Sequence, residues 1–322
     1  MKTKTIIFLF LLIVVGCKKS QDDLYWESRR VSDSGDDYTA LTLINKALDL
    51  DSLNARYLRQ KGYINSQLNN TEEALKDYLR SIEIDSTNAT AYRNLGMILE
   101  TICEYKSSTY YLKKSLEIDP NDAFIYFKLA SNEFKFANYK GCEKYALKSI
   151  ALDSELANPY GELGLVYTHN EEWEKAINNF HKAINRDATW SHYYNNRGYA
   201  YSSIGEHQLA LDDYFSAISL DSLDPSFYLN IADIYNKENV LDSALWYYNK
   251  SILLIKPGFE GDFGIAYYNR GHLHLELGDT ISAEIDFQMV DDLGFDPDNF
   301  PEFEFGNDCT TTYNNVSYGN GQ

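Results

Sequence analysis

The histidines and carboxylates near residue 272 have the spacing that comes closest to a metal site in this sequence. His272 and Glu276 are four positions apart and would share one face of a helix, whereas His272 and His274 would point to different faces. Two ligands make a weak site, so we expect no metal. The sequence has no zinc-protease His-Glu-x-x-His motif, no Gly-x-Ser-x-Gly elbow and no Gly-Lys-Ser/Thr phosphate loop. We therefore expect neither catalysis nor a cofactor, which leaves binding as the predicted chemistry.

The first twenty residues predict a covalent modification at Cys17. Lys2 and Lys4 precede an apolar run over 6–15, which is shorter than the roughly 20 residues that cross a bilayer and is typical of a secretory signal. The stretch Val-Val-Gly-Cys that ends at Cys17 resembles the lipobox of bacterial lipoproteins. The resemblance implies that Cys17 is lipidated, that residues 1–16 are removed, and that residues 17–20 form a linker. An ordinary secretory signal with an incidental cysteine is the alternative.

The residue after the cysteine bears on location. In the lipoproteins that the segment resembles, an Asp at this place retains the protein at the inner membrane, and this chain has Lys18 instead. The resemblance therefore implies an outer-membrane lipoprotein, held by acyl chains that contribute about 0.8 kcal/mol per buried methylene. Asp22 and Asp23 lie too far from Cys17 to predict surface export, so the periplasmic and external faces both stay open.

The composition describes an acidic, soluble body. There are 48 Asp and Glu against 29 Lys and Arg, and removal of Lys2 and Lys4 leaves 27 cations, a net charge of 27 − 48 = −21. Such acidity argues against a nucleic-acid partner and against a basic membrane-surface patch. The hydrophobic fraction of 44% is enough for a packed core. The remaining cysteines, Cys103, Cys142 and Cys309, are odd in number and lack metal-type spacing. In the other units the position equivalent to Cys142 is Ala or Ser, which predicts that Cys142 is a small buried residue.

Small residues recur with a period of 34. One series consists of Gly62, Gly96, Ala130, Gly164, Gly198 and Ala232, and a second series twelve residues later consists of Ala74, Ser108, Cys142, Ala176, Ala210 and Ala244. A fixed period of this size predicts a stack of repeated units. Such a stack makes binding the expected activity.

Each unit reads as two helices. In the unit 89–122, Tyr92, Gly96 and Leu99 share one helical face, a second apolar stripe includes Leu112, and Pro120 ends the unit. Glycine within a helix costs up to about 1 kcal/mol relative to alanine. The recurrence of glycine at the same position of successive units therefore indicates that the two helices pack too closely for a larger side chain.

An aromatic residue precedes the small residue by four positions in successive units. These aromatics are Tyr92, Tyr126, Tyr160, Tyr194, Tyr228 and Tyr267. In these positions the sequence resembles tetratricopeptide repeats. The resemblance implies an all-α fold, a right-handed α-solenoid of helix-turn-helix repeats over residues 21–297. The units are 55–88, 89–122, 123–156, 157–190, 191–224, 225–258 and 264–297.

Three parts depart from the pattern. Residues 21–54 form a degenerate first unit, in which Ser28 and Val31 match poorly. A five-residue insertion near 259–263 separates the last two units. Residues 298–322 form a polar tail, for which the sequence indicates no role.

In the family, first helices line a concave groove, and side chains one step from the buried stripe face it. That rule selects Arg56, Arg59, Arg93, Lys128 and Lys135, with Glu100 the one acid, a net charge of 5 − 1 = +4. It also selects Asn196, Tyr199, Asn230 and Asn269, and Asn94 joins Arg59 and Lys128 as a partial match to the family's carboxylate clamp. Arginine suits carboxylates, and Asn amides suit the backbone of an extended peptide. Tyr63 and Phe124 replace two residues of the family's carboxylate clamp, so we expect no complete clamp.

We therefore predict a non-catalytic scaffold, anchored in the bacterial envelope, that binds a peptide or an acidic protein segment in its groove. The second helices hold acids such as Glu72, Glu73 and Asp213, which predicts an acidic convex side. A surface glycan-binding lipoprotein that uses Phe127, Tyr199 and Tyr268 is the alternative. The oligomeric state stays open.

Overall fold

The computed structural model of the protein describes residues 19–256 and 263–296, which form sixteen α-helices and no strand. Consecutive helices pack as pairs, and each pair packs against the next, so the predicted all-α solenoid is confirmed. The segment 1–16, Cys17, the tail 298–322 with Cys309, and residues 257–262 lie outside the described residues. The predicted lipidation therefore stays a prediction.

Short polar residues start most of the first helices. The Asn54 side chain accepts a hydrogen bond from the Tyr57 N–H, and Asp122 does the same for the Ile125 N–H, which satisfies one amide of each first turn. The helices are α1 (Gln21–Asp33), α2 (Asp37–Leu50), α3 (Ala55–Gln67), α4 (Thr71–Ile84), α5 (Ala89–Thr101), α6 (Tyr105–Ile118), α7 (Ala123–Lys135), α8 (Tyr139–Leu152), α9 (Asn158–His169), α10 (Trp173–Arg186), α11 (Ser191–Ser203), α12 (His207–Leu220), α13 (Pro225–Lys237), α14 (Leu241–Leu254), α15 (Gly264–Glu276) and α16 (Thr280–Leu293).

The turn inside each pair contains one residue in the left-handed backbone conformation. These residues are Gly35, Asn69, Cys103, Ala137, Glu171, Gly205, Asn239 and Gly278. Five of the eight are not glycine, although a side chain costs roughly 1–2 kcal/mol in this conformation. The packing of the two helices therefore imposes the turn.

The recurrent glycines mark where the helices of a pair cross. A Cβ on Gly164 would lie 2.5 Å from Cε1 of Phe180, and one on Gly96 would lie 2.7 Å from Cγ of Leu112. Ala130 is tolerated at the equivalent place because the residue opposite it is Ala146. The predicted close approach of the two helices is confirmed. The side chain sixteen residues after each small residue fills the space that a larger residue at the small position would occupy.

The first unit, expected to be degenerate, packs in the same way. Ser28 occupies the small position, is fully buried, and donates a 2.8 Å hydrogen bond from its hydroxyl to the Ala40 carbonyl. Cys142 is likewise buried, as its position predicts.

Three pairs hold a buried ion pair between their two helices. Arg197 donates two hydrogen bonds to Asp213, of 2.8 and 2.7 Å, and Arg270 binds Asp286 in the same way. Lys61 lies 3.3 Å from Asp77. The interpretation of Asp213 as part of a solvated acidic face is therefore wrong, because a cation sixteen residues earlier in the chain draws this carboxylate into the interface.

First helices of neighbouring pairs contact one another, as α9 does with α7 and α11, whereas second helices make no comparable contact with each other. The first helices therefore lie on the inner, concave side. The last pair ends with a polar face: α16 has exposed Glu284 and Asp291 where α14 has Leu245 and Ile252, which pack against the following pair.

Candidate functional site

Every predicted groove residue lies on a first helix and is partly exposed. Arg56 and Arg59 lie on α3, Arg93 and Asn94 on α5, Lys128 and Lys135 on α7, Asn196 and Tyr199 on α11, Asn230 on α13, and Asn269 on α15. The side chains fall into a basic and aromatic half over α3–α9 and an amide-rich half over α11–α15.

Three of the groove cations are paired with carboxylates. Arg56 forms an ion pair with Asp22 of α1, Arg93 Nη1 lies 3.0 Å from Asp122 Oδ2, and Lys128 Nζ lies 2.8 Å from Glu100 Oε2. Asp22 and Asp122 were absent from the predicted lining. The groove is therefore less positive than the +4 that the sequence predicts. Asp122 precedes α7 as its N-cap, and this capping place is the signal that could have found it.

Arg59 differs from the other groove arginines. Within the described residues its guanidinium forms no ion pair, and Tyr63, four residues on, is 40% exposed beside the groove. Asn94, on the neighbouring helix, donates a 3.4 Å hydrogen bond to the Tyr78 hydroxyl. Hydrogen bonds from Thr87 and, to a smaller extent, the charge of Arg59 lower the pKa of Asp85, so Arg59 acts on this carboxylate without forming an ion pair with it.

Two phenylalanines on α7 lie between two cations. The guanidinium carbon of Arg93 is 5.1 Å from the centre of the Phe124 ring, and Lys128 Nζ is 5.8 and 5.4 Å from the rings of Phe124 and Phe127. We call Arg93, Phe124, Phe127 and Lys128 the central cluster. It combines partly exposed aromatic surface with positive charge, and Phe124 was noticed in the sequence only as a departure from the clamp.

A third acid missed by the sequence interpretation lies next to this cluster. Glu162 of α9 is partly buried and hydrogen-bonded to Ser131 of α7, and burial raises its pKa to about 7, against the opposing effect of Lys135. Burial also raises the pKa of Glu100, although Lys128 opposes this shift. The groove centre therefore contains one carboxyl whose charge changes near neutral pH.

The amide-rich half uses its side chains to join neighbouring helices. Asn230 donates a 2.9 Å hydrogen bond to Asn195, and Asn269 donates a 3.0 Å bond to Asp233. Asp233 also accepts a 2.6 Å bond from the Tyr248 hydroxyl, and burial raises the pKa of this carboxyl. These bonds tie α11 to α13 and α13 to α15, so two of the predicted binding amides also hold the groove together.

Asn196 keeps more of its capacity. Its Oδ1 accepts a weak bond of 3.3 Å from Asn195, and within the described residues its NH₂ group has no hydrogen-bond partner. Tyr199 packs edge-on against Trp173 of the preceding pair, with ring centres 6.2 Å apart. Asn196 is thus the amide of this half best placed to donate to a ligand.

No group of three or more His, Cys, Asp or Glu side chains in residues 19–256 and 263–296 is arranged to hold a metal ion. His272 packs against the rings of Tyr268 and Phe287. In the same ranges, every helix falls short of the length and apolarity needed to span a bilayer.

Family models match two parts of the array. One model, described as TPR repeat, matches residues 62–101, and another, described as Tetratricopeptide repeat, matches residues 191–222. These two stretches are tetratricopeptide repeats. Proteins with tetratricopeptide repeats typically mediate protein–protein interactions, and their fold is generally a non-catalytic scaffold.

Solved structures extend the likeness beyond the matched repeats. The Cut9–Hcn1 hetero-tetramer of APC/C is 20% identical, with 72% of this chain and 46% of that chain covered and a TM-score of 0.62. A tetratricopeptide repeat protein from Parabacteroides merdae is 14% identical, with 86% and 100% covered and a TM-score of 0.61. Pseudomonas aeruginosa pilF is 21% identical, with 65% and 92% covered and a TM-score of 0.56.

These similarities show the fold of the tetratricopeptide array and leave its ligand open. The chain spans less than half of the Cut9–Hcn1 chain that it matches. The comparison with curated proteins gave no match. The ligand must therefore be inferred from the groove itself.

Proposed function

We propose that this protein is an adaptor of the bacterial envelope whose tetratricopeptide array holds an extended segment of a partner protein on its concave side. The observation that carries the proposal is the central cluster, where two partly exposed phenylalanines lie between Arg93 and Lys128. Apolar surface flanked by positive charge suits a segment with an apolar side chain next to an acidic one.

Donors remain available around the cluster although its cations are paired. Lys128 has three N–H donors and gives one to Glu100, so two remain for a ligand. Arg59 occupies the position of Arg93 one pair earlier and has no ion pair within the described residues. A carboxylate of the partner would bind along this row, and the phenylalanines would cover an apolar side chain.

Ring geometry favours a peptide over a glycan. Phe124 and Phe127 are inclined at 71°, Tyr199 and Trp173 at 64°, and Tyr268 and Phe287 at 63°. Each pair is edge-to-face, so no two of these rings form one flat platform on which a sugar would stack. A glycan would also have to displace the cations that lie over Phe124 and Phe127.

Attachment to the envelope is part of the proposal and depends on Cys17. Lipidation there would tether the array by its N-terminal end, with α1 beginning four residues later. Mass spectrometry of the protein from cells should find acyl chains on Cys17 and removal of residues 1–16, and a Cys17→Ser protein should carry no acyl chain. An unmodified Cys17 would contradict the anchor and leave the groove proposal standing.

The groove is tested by affinity capture from extracts of the source cells with the full chain as bait, followed by identification of bound proteins. Arg59→Glu reverses a charge in the groove at an arginine that forms no ion pair within the described residues and acts on Asp85 only at longer range. Arg80→Glu makes the same change on the outer helix α4, where Arg80 is exposed, and serves as the matched control. We expect Arg59→Glu and Phe127→Ala each to weaken capture of the same partner at least tenfold, or by about 1.4 kcal/mol.

Both variants are compared by circular dichroism before capture, because Phe127 contributes to packing. Equal capture by the original chain, Arg59→Glu and Phe127→Ala would reject the concave side as the binding surface. An equal loss with Arg80→Glu would show that overall charge is responsible, which also contradicts the proposal.

A further inference from the structure

The outer side of the array carries a group of lysines that the acidic composition does not predict. We call Lys106, Lys113 and Lys114 of α6 with Lys140, Lys144 and Lys148 of α8 the lysine face. All six side chains are exposed or partly exposed. The prediction of an acidic convex side does not hold at these two helices, which carry the kind of basic patch that the net charge argues against.

Comparison at equal repeat positions shows that the lysine face is local. The three lysines of α8 are four residues apart, so they project from one side of the helix over about 12 Å. The equivalent triplets are Glu72, Lys76 and Arg80 in α4, Glu174, Asn178 and Lys182 in α10, Gln208, Asp212 and Ser216 in α12, and Asp242, Trp246 and Lys250 in α14. Among these five second helices, α8 is the one with three cations.

The two helices form one continuous surface. Tyr145 of α8 joins them, because Lys113 Nζ and Lys144 Nζ lie 6.0 and 5.8 Å from the centre of its ring. Lys114 lies at 6.0 Å from the ring of Tyr110 on its own helix. The lysine face is thus a mosaic of cations and tyrosines on a convex surface.

Most of this charge is not neutralised. Lys114 lies 2.8 Å from Glu117 and Lys113 lies 3.9 Å from Glu133. The other four lysines form no ion pair within residues 19–256 and 263–296. With Glu143, which accepts a 3.0 Å hydrogen bond from Tyr167, and the exposed Glu104 at the start of α6, there are four acids against six lysines, a net charge of 6 − 4 = +2. This local charge stands on a chain of net charge −19.

We propose that the lysine face docks on the anionic phospholipid headgroups of a membrane surface. Its cations are all lysines, which are point charges that suit a diffuse layer of phosphates, whereas the planar arginine fork suits fixed carboxylates in a protein interface. Tyr110 and Leu147 are 57% and 50% exposed among the lysines, and amphipathic and apolar side chains of this kind enter the headgroup region.

Docking by the convex side would leave the concave side open for a partner. The contact does not require lipidation of Cys17, so it is a binding site separate from the anchor and from the groove. Because the rest of the chain is repelled by an anionic surface, we expect the contact to weaken steeply as salt shortens the range of the attraction, about 10 Å at 0.1 M.

The test is cosedimentation with vesicles, using the full chain with Cys17→Ser so that no acyl chain contributes. Vesicles of phosphatidylcholine alone report binding by the N-terminal apolar run, and vesicles that also contain phosphatidylglycerol report the lysine face. The variant is Lys140→Gln, Lys144→Gln and Lys148→Gln together. The control is Lys46→Gln, Lys76→Gln and Lys175→Gln together, three exposed lysines of α2, α4 and α10 with the same change in net charge.

We expect stronger binding to the anionic vesicles, reduced about tenfold to a hundredfold in the α8 variant and less than about twofold in the control, since a lysine near an anionic surface contributes about 1 kcal/mol. Equal binding to both vesicles, or equal losses in both variants, would overturn the proposal. Light scattering measures self-association of the same proteins. If none of them binds anionic vesicles and the α8 variant loses self-association, the lysine face is a protein contact and the proposal is overturned.

Discussion

The buried ion pair between Arg197 and Asp213 provides a quantitative test of how the repeats are held together. The arginine side chain is 15% exposed and the aspartate 8%, and two hydrogen bonds of 2.7 and 2.8 Å join them. Arg197→Leu would leave a buried carboxylate without its cation, a change that costs about 3–5 kcal/mol. That amount is a large fraction of the roughly 5–15 kcal/mol by which native domains are stable.

Another repeat supplies the compensating change. At the same two positions, α5 and α6 have Leu95 and Tyr111, which pack in an apolar cluster. The double substitution Arg197→Leu with Asp213→Tyr transfers this pair to α11 and α12. Because both charges are removed together, we expect it to recover most of the loss and to end within about 1–2 kcal/mol of the original protein.

Urea unfolding followed by circular dichroism gives the stability, and hydrogen exchange of α11 and α12 gives the local effect, since repeat arrays can unfold in parts. Lys76→Ala, which removes exposed ion pairs with Glu72 and Glu73, is the control and should leave the stability almost unchanged. Loss of under about 1 kcal/mol with Arg197→Leu, or a double variant as unstable as the single one, would refute this account of the buried pair.

Three further substitutions test titration, packing and turn geometry. The folded-state pKa of Glu162, about 7, is above its unfolded value, so the folded chain binds the extra proton and stability falls as pH rises from about 4.5 to 7. Glu162→Gln should remove that fall and stabilise the protein by about 1–3 kcal/mol above pH 7, and parallel stability–pH curves in urea would contradict it. Gly164→Ala places a Cβ 2.5 Å from Phe180 and should cost about 1–3 kcal/mol despite its better helix propensity; an unchanged melting temperature would argue against the close crossing. Ala137→Gly should stabilise by about 1 kcal/mol, because φ at Ala137 is 55°, and a lowered melting temperature would count against imposed turn strain.

The repeated core was predictable because packing requires a small residue at the same position of each repeat unit. Gly164 and its equivalents must be small because a large side chain of the paired helix packs against them. The 34-residue period can therefore be recognised from the amino-acid sequence alone. The position of the groove residues on first helices followed from the same register. The resemblance to tetratricopeptide repeats supplied which side of the helices would face inward.

Partners of the charged residues were not predictable in the same way. Arg93 pairs with Asp122, 29 residues later, and Arg197 with Asp213, 16 residues later, and neither spacing corresponds to neighbours on a single helix. Both contacts cross between helices, so the charge of a residue alone does not show whether it is solvated. For this reason the sequence overestimated the positive charge of the groove and missed the lysine face.

The polar face of α16 bears on how copies of the protein meet. A stacking surface that accepts the next pair would equally accept the first pair of another molecule, and end-to-end growth into filaments would follow. Glu284 and Asp291 place carboxylates where Leu245 and Ile252 make that contact in the preceding pair. Polymerisation through this face would require burying the charges of Glu284 and Asp291, which opposes end-to-end contact there.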